Sequence, residues 1–233
     1  DVTGVQTCAL PISLVRKSTR ERFTTEVERI KAPILVNANL SDGTNGSLII
    51  GDDLNQSYSK RYLTPFGEFI PLRSIVEKIS DKADLVSGYK PGEKPYLFKI
   101  GSKTFRTLIC YELLSDKQAR TEMADVDFIV VQTNNATYYQ TWQLDQELAI
   151  AKARSAETSR QSVYVSTTGG TSLLDENGRT FASIPKYTNQ VLVGALQTRQ
   201  GVTPAAKFGS TLELVFIVAW LFFLYKSRRT FRR

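Results

Sequence analysis

Apolar residues along the chain recur with two different spacings, and each spacing predicts an element. Between Glu21 and Ile30 they fall at Phe23, Val27 and Ile30, positions i, i+4 and i+7, which predicts a helix. Pro33 opens the apolar run ILVNA, and the turn SDGTNG leads to SLII; both runs predict strands. A polar stretch with Tyr58 and Lys60 follows. Next comes TPFGEFIPL, which two prolines and a glycine keep out of regular structure. Ser74 to Ala83 predicts a short helix. YLFKI and TFRTLIC predict a hairpin turning at Gly101 and Ser102, and FIVVQT predicts a further strand. Leu144 to Arg160 is the strongest helical pattern, with Leu144, Leu148, Ala151 and Ser155 on one side and charges on the other. The strands VYVST, TSLL and VLVGAL close the domain, with the turn DENG between them. Strands and helices alternate without an internal repeat, which predicts an α/β protein with a mixed sheet.

The pattern changes near the C-terminus. Phe208 to Tyr225 is an 18-residue apolar run whose single charge is Glu213. A membrane-spanning helix takes about 20 mostly apolar residues, so the run suffices if flanking residues extend it; a buried core helix is the alternative. The composition decides between them. Of the formal net charge of +7, five charges sit in the last eight residues at Lys226, Arg228, Arg229, Arg232 and Arg233. The rest of the chain is close to neutral and has no basic patch that would suggest nucleic acid. A basic cluster directly after an apolar run predicts a transmembrane helix with a cytoplasmic tail at 226–233.

The opposite end has another character. Residues 1–12, DVTGVQTCALPI, lack the basic region of a signal peptide, and the chain's only methionine is Met123. The string is similar to the translation of a common sequencing-library adapter. The expectation is therefore that 1–12 is an artefact, that natural sequence begins near Ser13, and that Cys110 is the only genuine cysteine.

Composition narrows the chemistry. With no histidine, the chain cannot carry a Ser-His-Asp or Cys-His hydrolase site, an HExxH metalloprotease site or a His-bearing zinc site. Two cysteines cannot form a four-thiolate zinc site, and the GxSxG, GxGxxG and P-loop patterns are absent. Cys110 ends an apolar strand just before the helix-start residues Ser115, Asp116 and Lys117. A thiol there can feel a helix N-terminus, which predicts a lowered pKa. A small apolar core residue and a surface lysine remain the plain alternatives for Cys110 and Lys60.

The order of several segments adds to this. KRYLTPFGEFIPLR, LICYELL, TNNATYY, AKARSAETSRQSVYVSTTGGTSLLDENGR and GVTPAAKFG before an apolar helix together resemble the C-terminal part of the apolipoprotein N-acyltransferase family, the membrane-bound branch of the nitrilase superfamily. The likeness runs from about Glu21 to the C-terminus. It implies a Glu-Lys-Cys triad in which Cys110 is the nucleophile and Lys60 the catalytic lysine. Glu68 of PFGE, Tyr111 and Glu112 of CYE match supporting residues. The implied reaction takes an acyl chain from a membrane phospholipid onto the thiolate and passes the thioester to the amine of a diacylglyceryl-cysteine lipoprotein. A lysine ammonium can stabilise the tetrahedral oxyanion.

The sequence departs from the family pattern twice. Where the family has its base in a W-P-E-like motif, Ser13 to Arg20 reads SLVRKSTR and contains no such glutamate. Where the family often reads N-D-A-W, this chain has Asn134, Asn135, Ala136 and Thr137. The implied fold is a nitrilase-type α-β-β-α sandwich, incomplete at its N-terminus, over 13–207, followed by a transmembrane helix at 208–225. The intact parent is expected to be a monomeric, multi-pass bacterial inner-membrane enzyme without a cofactor. Its catalytic domain would face outward, and the fragment alone would be inactive. A membrane-tethered amidase and a non-catalytic nitrilase-like module are the other readings.

Overall fold

Two β-sheets stacked face to face enclose the core of the domain. The computed structural model describes residues 6–13, 17–51, 54–77, 88–138 and 140–231. The first sheet has four strands in the order β1 (Gln6–Ser13), β2 (Ile34–Asn39), β3 (Asn45–Ile50) and β4 (Ser57–Ser59), with β1 parallel to β2 and the others antiparallel. β1 falls largely within the adapter-like segment. The second sheet has six strands in the order β10 (Thr180–Ser183), β9 (Ser172–Leu174), β8 (Ser162–Ser166), β7 (Phe128–Thr133), β6 (Lys103–Ile109) and β5 (Phe98–Ile100). Its centre, β6-β7-β8, is parallel and its margins are antiparallel, a mixed sheet as the alternation of elements predicts.

Strand period sorts the core into two layers. On β6 and β7, Phe105, Ile109, Phe128 and Val130 join Leu35, Ile49 and Tyr58 in the layer between the sheets. Leu108, Ile129 and Val131 point the other way, to Ala119, Met123 and Ala151 under α3 (Asp116–Arg120) and α4 (Gln143–Thr158). Alternation along a pleated strand requires this split. Phe98, Phe105 and Phe128 hold one register across three strands, their rings stacked at 5.3 and 4.9 Å. Such aromatic pairs stabilise by about 0.5–1.5 kcal/mol beyond the area they bury. The Ser47 hydroxyl donates to Gln132 Oε1 at 2.6 Å, a polar link through the apolar layer from one sheet to the other.

The helices differ from expectation mainly at their ends. α1 (Lys17–Ile30) starts four residues before the predicted Glu21. Of the helix predicted at Ser74 to Ala83, α2 (Arg73–Val76) is described, and 78–87 lie outside the described residues. One strand prediction fails. VLVGAL, 191–196, is irregular, although Leu196 is buried between the sheets. The turn at Asp175 to Gly178 folds β10 back onto β9 and takes the edge that 191–196 would have needed. The later segment crosses the sheet face instead, so closely that a Cβ on Gly194 would lie 2.3 Å from the Leu173 side chain.

α5 (Pro204–Phe231) leaves the domain. Thr203 caps it, accepting from the Ala206 N–H at 3.0 Å while donating to the Glu157 carbonyl at 2.5 Å, with Pro204 in the first turn. Arg120 reaches Ser210 Oγ at 3.4 Å and Glu213 at 3.7 Å, which ties the helix base to α3. Pro204–Arg228 is long and apolar enough to cross a membrane, with a mean hydropathy of 1.9, and none of its apolar window is buried against the domain. Water-facing aromatic and aliphatic side chains over that length need another apolar medium to cover them.

Candidate active site

Lys60 follows β4 directly, and its backbone is fixed on both sides. Its N–H donates to the Asn45 carbonyl at 2.7 Å, and its carbonyl accepts from Gly92 at 2.8 Å. The side chain is only 1 % exposed, and Nζ donates to Glu68 Oε2 at 2.5 Å. Glu68 comes from the irregular TPFGEFIPL loop, whose turn is closed by Glu68 N–H to Thr64 O and by Phe66 N–H to Phe69 O. The same carboxylate accepts from the Thr64 N–H at 2.7 Å and from Asn45 Nδ2 at 2.7 Å. Burial pushes the Glu68 carboxyl up. The Lys60 ammonium and the donors Thr64 and Asn45 outweigh burial and hold it below the usual carboxylate value.

Cys110 stands where β6 ends, at the start of the 3-10 turn Cys110–Leu114. Its φ of +49° is in the left-handed region, which costs a non-glycine residue on the order of 1–3 kcal/mol. Glu112, two residues on, shows what holds that conformation. Its carboxylate is fully buried and receives Tyr58 OH at 2.5 Å, Arg61 N–H at 2.8 Å, Tyr62 N–H at 3.3 Å and Ile109 N–H at 3.0 Å. The first three donors belong to the Lys60 segment and the fourth precedes Cys110. Glu112 therefore staples the lysine and cysteine segments together. Burial drives its carboxyl above the ordinary value, against the pull of these donors. Tyr111 is half-buried beside Cys110.

The thiol does not behave as the strand-to-helix position predicted. Burial first, and then the Glu147 carboxylate, push Cys110 up to about 11, while Lys60 and a hydrogen bond with Thr133 pull the other way. A five-residue 3-10 turn aligns few peptide dipoles, so no helix N-terminus compensates for the desolvation.

The sequence reading missed Glu147. It assigned the charges of α4 to the solvent side. Glu147, however, lies on the same stripe as buried Leu144, Ala151 and Ser155, three residues after the first and four before the second. Its carboxylate accepts from Thr133 Oγ1 at 2.5 Å, Asn135 Nδ2 at 3.1 Å and Tyr164 OH at 3.4 Å. A carboxylate on an otherwise apolar helical stripe was the available signal. Asn135, one of the two departures from N-D-A-W, is wholly buried. Its Oδ1 accepts from Ser166 Oγ at 2.7 Å and Thr168 Oγ1 at 3.1 Å, whereas Thr137 is exposed. Among the described residues, no group of three or more Cys, Asp or Glu side chains converges as a metal cage requires.

The segments that carry Cys110 and the buried Lys60 are thus joined through the buried Glu112 carboxylate, with Glu68 paired to the lysine. Residues 31–204 match the carbon-nitrogen hydrolase family. The chain belongs to that family. Its curated relatives include the apolipoprotein N-acyltransferase of Vibrio cholerae serotype O1, 30% identical over 79% of this chain and 39% of the relative. That of Methylococcus capsulatus is 31% identical over 65% and 31%, and that of Mycolicibacterium smegmatis 26% identical over 88% and 36%. The chain spans a little over a third of the length of the first relatives it matches. In fold it is similar to an amidase from Nesterenkonia sp., with a TM-score of 0.55 at 14% identity over 82% of this chain and 68% of that one. A variant of the Nesterenkonia sp. AN1 amidase with acrylamide added at its active-site cysteine superposes with a TM-score of 0.54 at 15% identity, over 72% and 65%. The fold is of the nitrilase type.

Proposed function

We propose that this chain is the catalytic portion of an acyltransferase that moves an acyl chain from a membrane phospholipid to the N-terminal amine of a diacylglyceryl-cysteine lipoprotein. Cys110 is the nucleophile. Its thiolate attacks the ester carbonyl, the lysophospholipid leaves with a proton, and the acyl chain stays as a thioester. The lipoprotein amine then attacks the thioester, forms the amide and returns the sulfur as a thiol. Lys60, held by Glu68, places an ammonium beside the developing oxyanion, and Glu112 supports both segments. What carries the reading is the ion pair of buried Lys60 with Glu68, tied to the Cys110 segment by the Glu112 carboxylate, in a chain whose curated relatives bear that name.

The scheme also needs a positioned general base, and no Asp or Glu lies between Gln6 and Arg16 to supply it. The 233 residues alone then lose the proton transfer that a positioned base supplies, worth about 10²–10⁴-fold. The test uses the gene product with its upstream segment joined at Ser13, in phospholipid vesicles. Cys110→Ala is expected to abolish both acyl transfer and the hydroxylamine-sensitive thioester. An acyl-enzyme on the alanine variant would remove Cys110 from the role, and ammonia release from simple amides without lipoprotein acylation would make the protein an amidase.

α5 spans the membrane with Lys226 to Arg233 in the cytoplasm and the sandwich outside, as the excess of basic residues after the apolar run supports. A cysteine appended after Arg233 is expected to be shielded from an impermeant thiol reagent in intact cells and labelled after permeabilisation. Labelling in intact cells would put the catalytic domain in the cytoplasm, where exported lipoproteins are out of reach.

A further inference from the structure

Glu147 has no place in a Cys-Lys-Glu scheme, yet it faces the reacting sulfur. Ile109 pairs with Gln132 in the parallel register of β6 and β7, which sets Thr133 beside Cys110, and Thr133 donates to Glu147 Oε1 at 2.5 Å. The other partners of Glu147 are Asn135 and Tyr164, both neutral donors, and among the described residues no lysine or arginine pairs with it. A carboxylate offers about four acceptor positions, and three are taken. Lys60 already has its counter-ion in Glu68, so Glu147 leaves a negative charge beside Cys110 without a cation to match it.

That charge works against the first half of the reaction. It raises the thiol, as the shift of Cys110 records, and an uncharged ester carbonyl gains nothing from it. Its effect reverses for the second substrate, which arrives as an ammonium. We propose that Glu147 is the acceptor-amine site: it binds the ammonium of the incoming N-terminus and takes its proton as the amine turns on the Cys110 thioester. This rests on the acyl-transfer reading above. Glu147 accepts one proton from the ammonium and releases it to water. The freed nitrogen lone pair forms the C–N bond, and the C–S pair returns to the sulfur. The second amine proton goes to that sulfur and restores the thiol. Thr133, Asn135 and Tyr164 fix the carboxylate so that it meets the amine without reorganising.

The experiment separates the half-reactions in Glu147→Gln, made in the gene product with its upstream segment and reconstituted in phosphatidylethanolamine-containing vesicles. Thioester formation on Cys110 is followed first. Its decay is then followed after addition of either a diacylglyceryl-cysteine peptide or hydroxylamine, which is uncharged at neutral pH. Thioester formation is expected to keep pace with the wild type or exceed it, and peptide aminolysis to fall at least about 100-fold, the lower end of the range for losing a positioned proton acceptor. Hydroxylamine aminolysis is expected to stay within about twofold of wild type, since that amine arrives without the ammonium proton that Glu147 removes and its remaining N–H proton goes to the sulfur as before. Unchanged peptide aminolysis, or equal slowing with both amines, would overturn the assignment. If the glutamine variant fails to accumulate, Glu147→Asp draws the charge back by one methylene and must slow the peptide more than hydroxylamine; equal effects overturn it as well. A wild-type protein that forms no thioester refutes the acyl-transfer reading itself.

Discussion

Glu68 and Glu112 flank the same lysine segment and do opposite things there. Glu68 sits on an irregular loop, keeps some exposure and meets an ammonium at 2.5 Å, so its carboxyl is held below the ordinary value. Glu112 is sealed in a 3-10 turn and meets one hydroxyl and three backbone N–H groups, so burial wins and its carboxyl rises. Four donors satisfy a carboxylate's geometry, but they do not replace a full counter-charge in a dry site. The first carboxylate pairs with the ammonium of Lys60. The second holds backbone in place. One residue type serves both ends because their surroundings differ.

The largest expected effect breaks the Glu112 side. Glu112→Ala leaves four buried donors without an acceptor, each costing on the order of 1–3 kcal/mol when unsatisfied, so a loss of about 3 kcal/mol or more is expected in denaturant unfolding. A loss under about 1 kcal/mol would mean that the two segments hold together without it.

Next comes the Lys60 side. Lys60→Met keeps the stem and removes the charge, and acyl transfer is expected to fall about 100-fold, the scale for losing a preorganised oxyanion partner, with a loss of stability as well because Glu68 is left without its counter-ion. Arg61→Met loses a 3.0 Å hydrogen bond to Gln118 and is expected to cost much less. Equal rates from the two variants would show that the lysine assignment is misplaced by one residue.

The smallest effect is also the most direct comparison, and it is read from melting temperature against pH. Stability from Glu68, whose folded pKa is lowered, is present above its ordinary value of 4.5 and disappears as pH falls through the lowered one. Glu112, whose folded pKa is raised, favours the fold below 4.5, and that contribution is lost as pH rises through the raised value. Glu68→Gln should therefore flatten the loss of melting temperature below pH 4.5. Glu112→Gln should remove the gain on acidification from neutral pH toward 4.5. Identical profiles for the two variants would erase the distinction between the carboxylates.

Much of this was legible in sequence because it is local. Short apolar runs marked β6 and β7, and spacing marked α4. The apolar run closed by Lys226 to Arg233 marked α5 as a membrane helix candidate. The Lys60–Glu68 pair sits eight residues apart in one loop, and Cys110 and Glu112 share one turn, so the short motifs carried them. Wherever the sequence reading failed, a long-range contact decided. VLVGAL is apolar enough for a strand, but the β9–β10 hairpin had already taken the edge.

By itself, then, the sequence determined which side chains could do chemistry without histidine, the alternation of strands and helices that makes an α/β domain, and the long apolar helix near the C-terminus. Only the tertiary structure decided how those side chains are charged and what they face. The rise of Cys110, the opposite shifts of Glu68 and Glu112, and the inward turn of Glu147 all depend on how much water is excluded and which charges lie nearby. Both are set by elements as much as 54 residues apart, as in the Tyr58–Glu112 bond, and no local pattern encodes that distance.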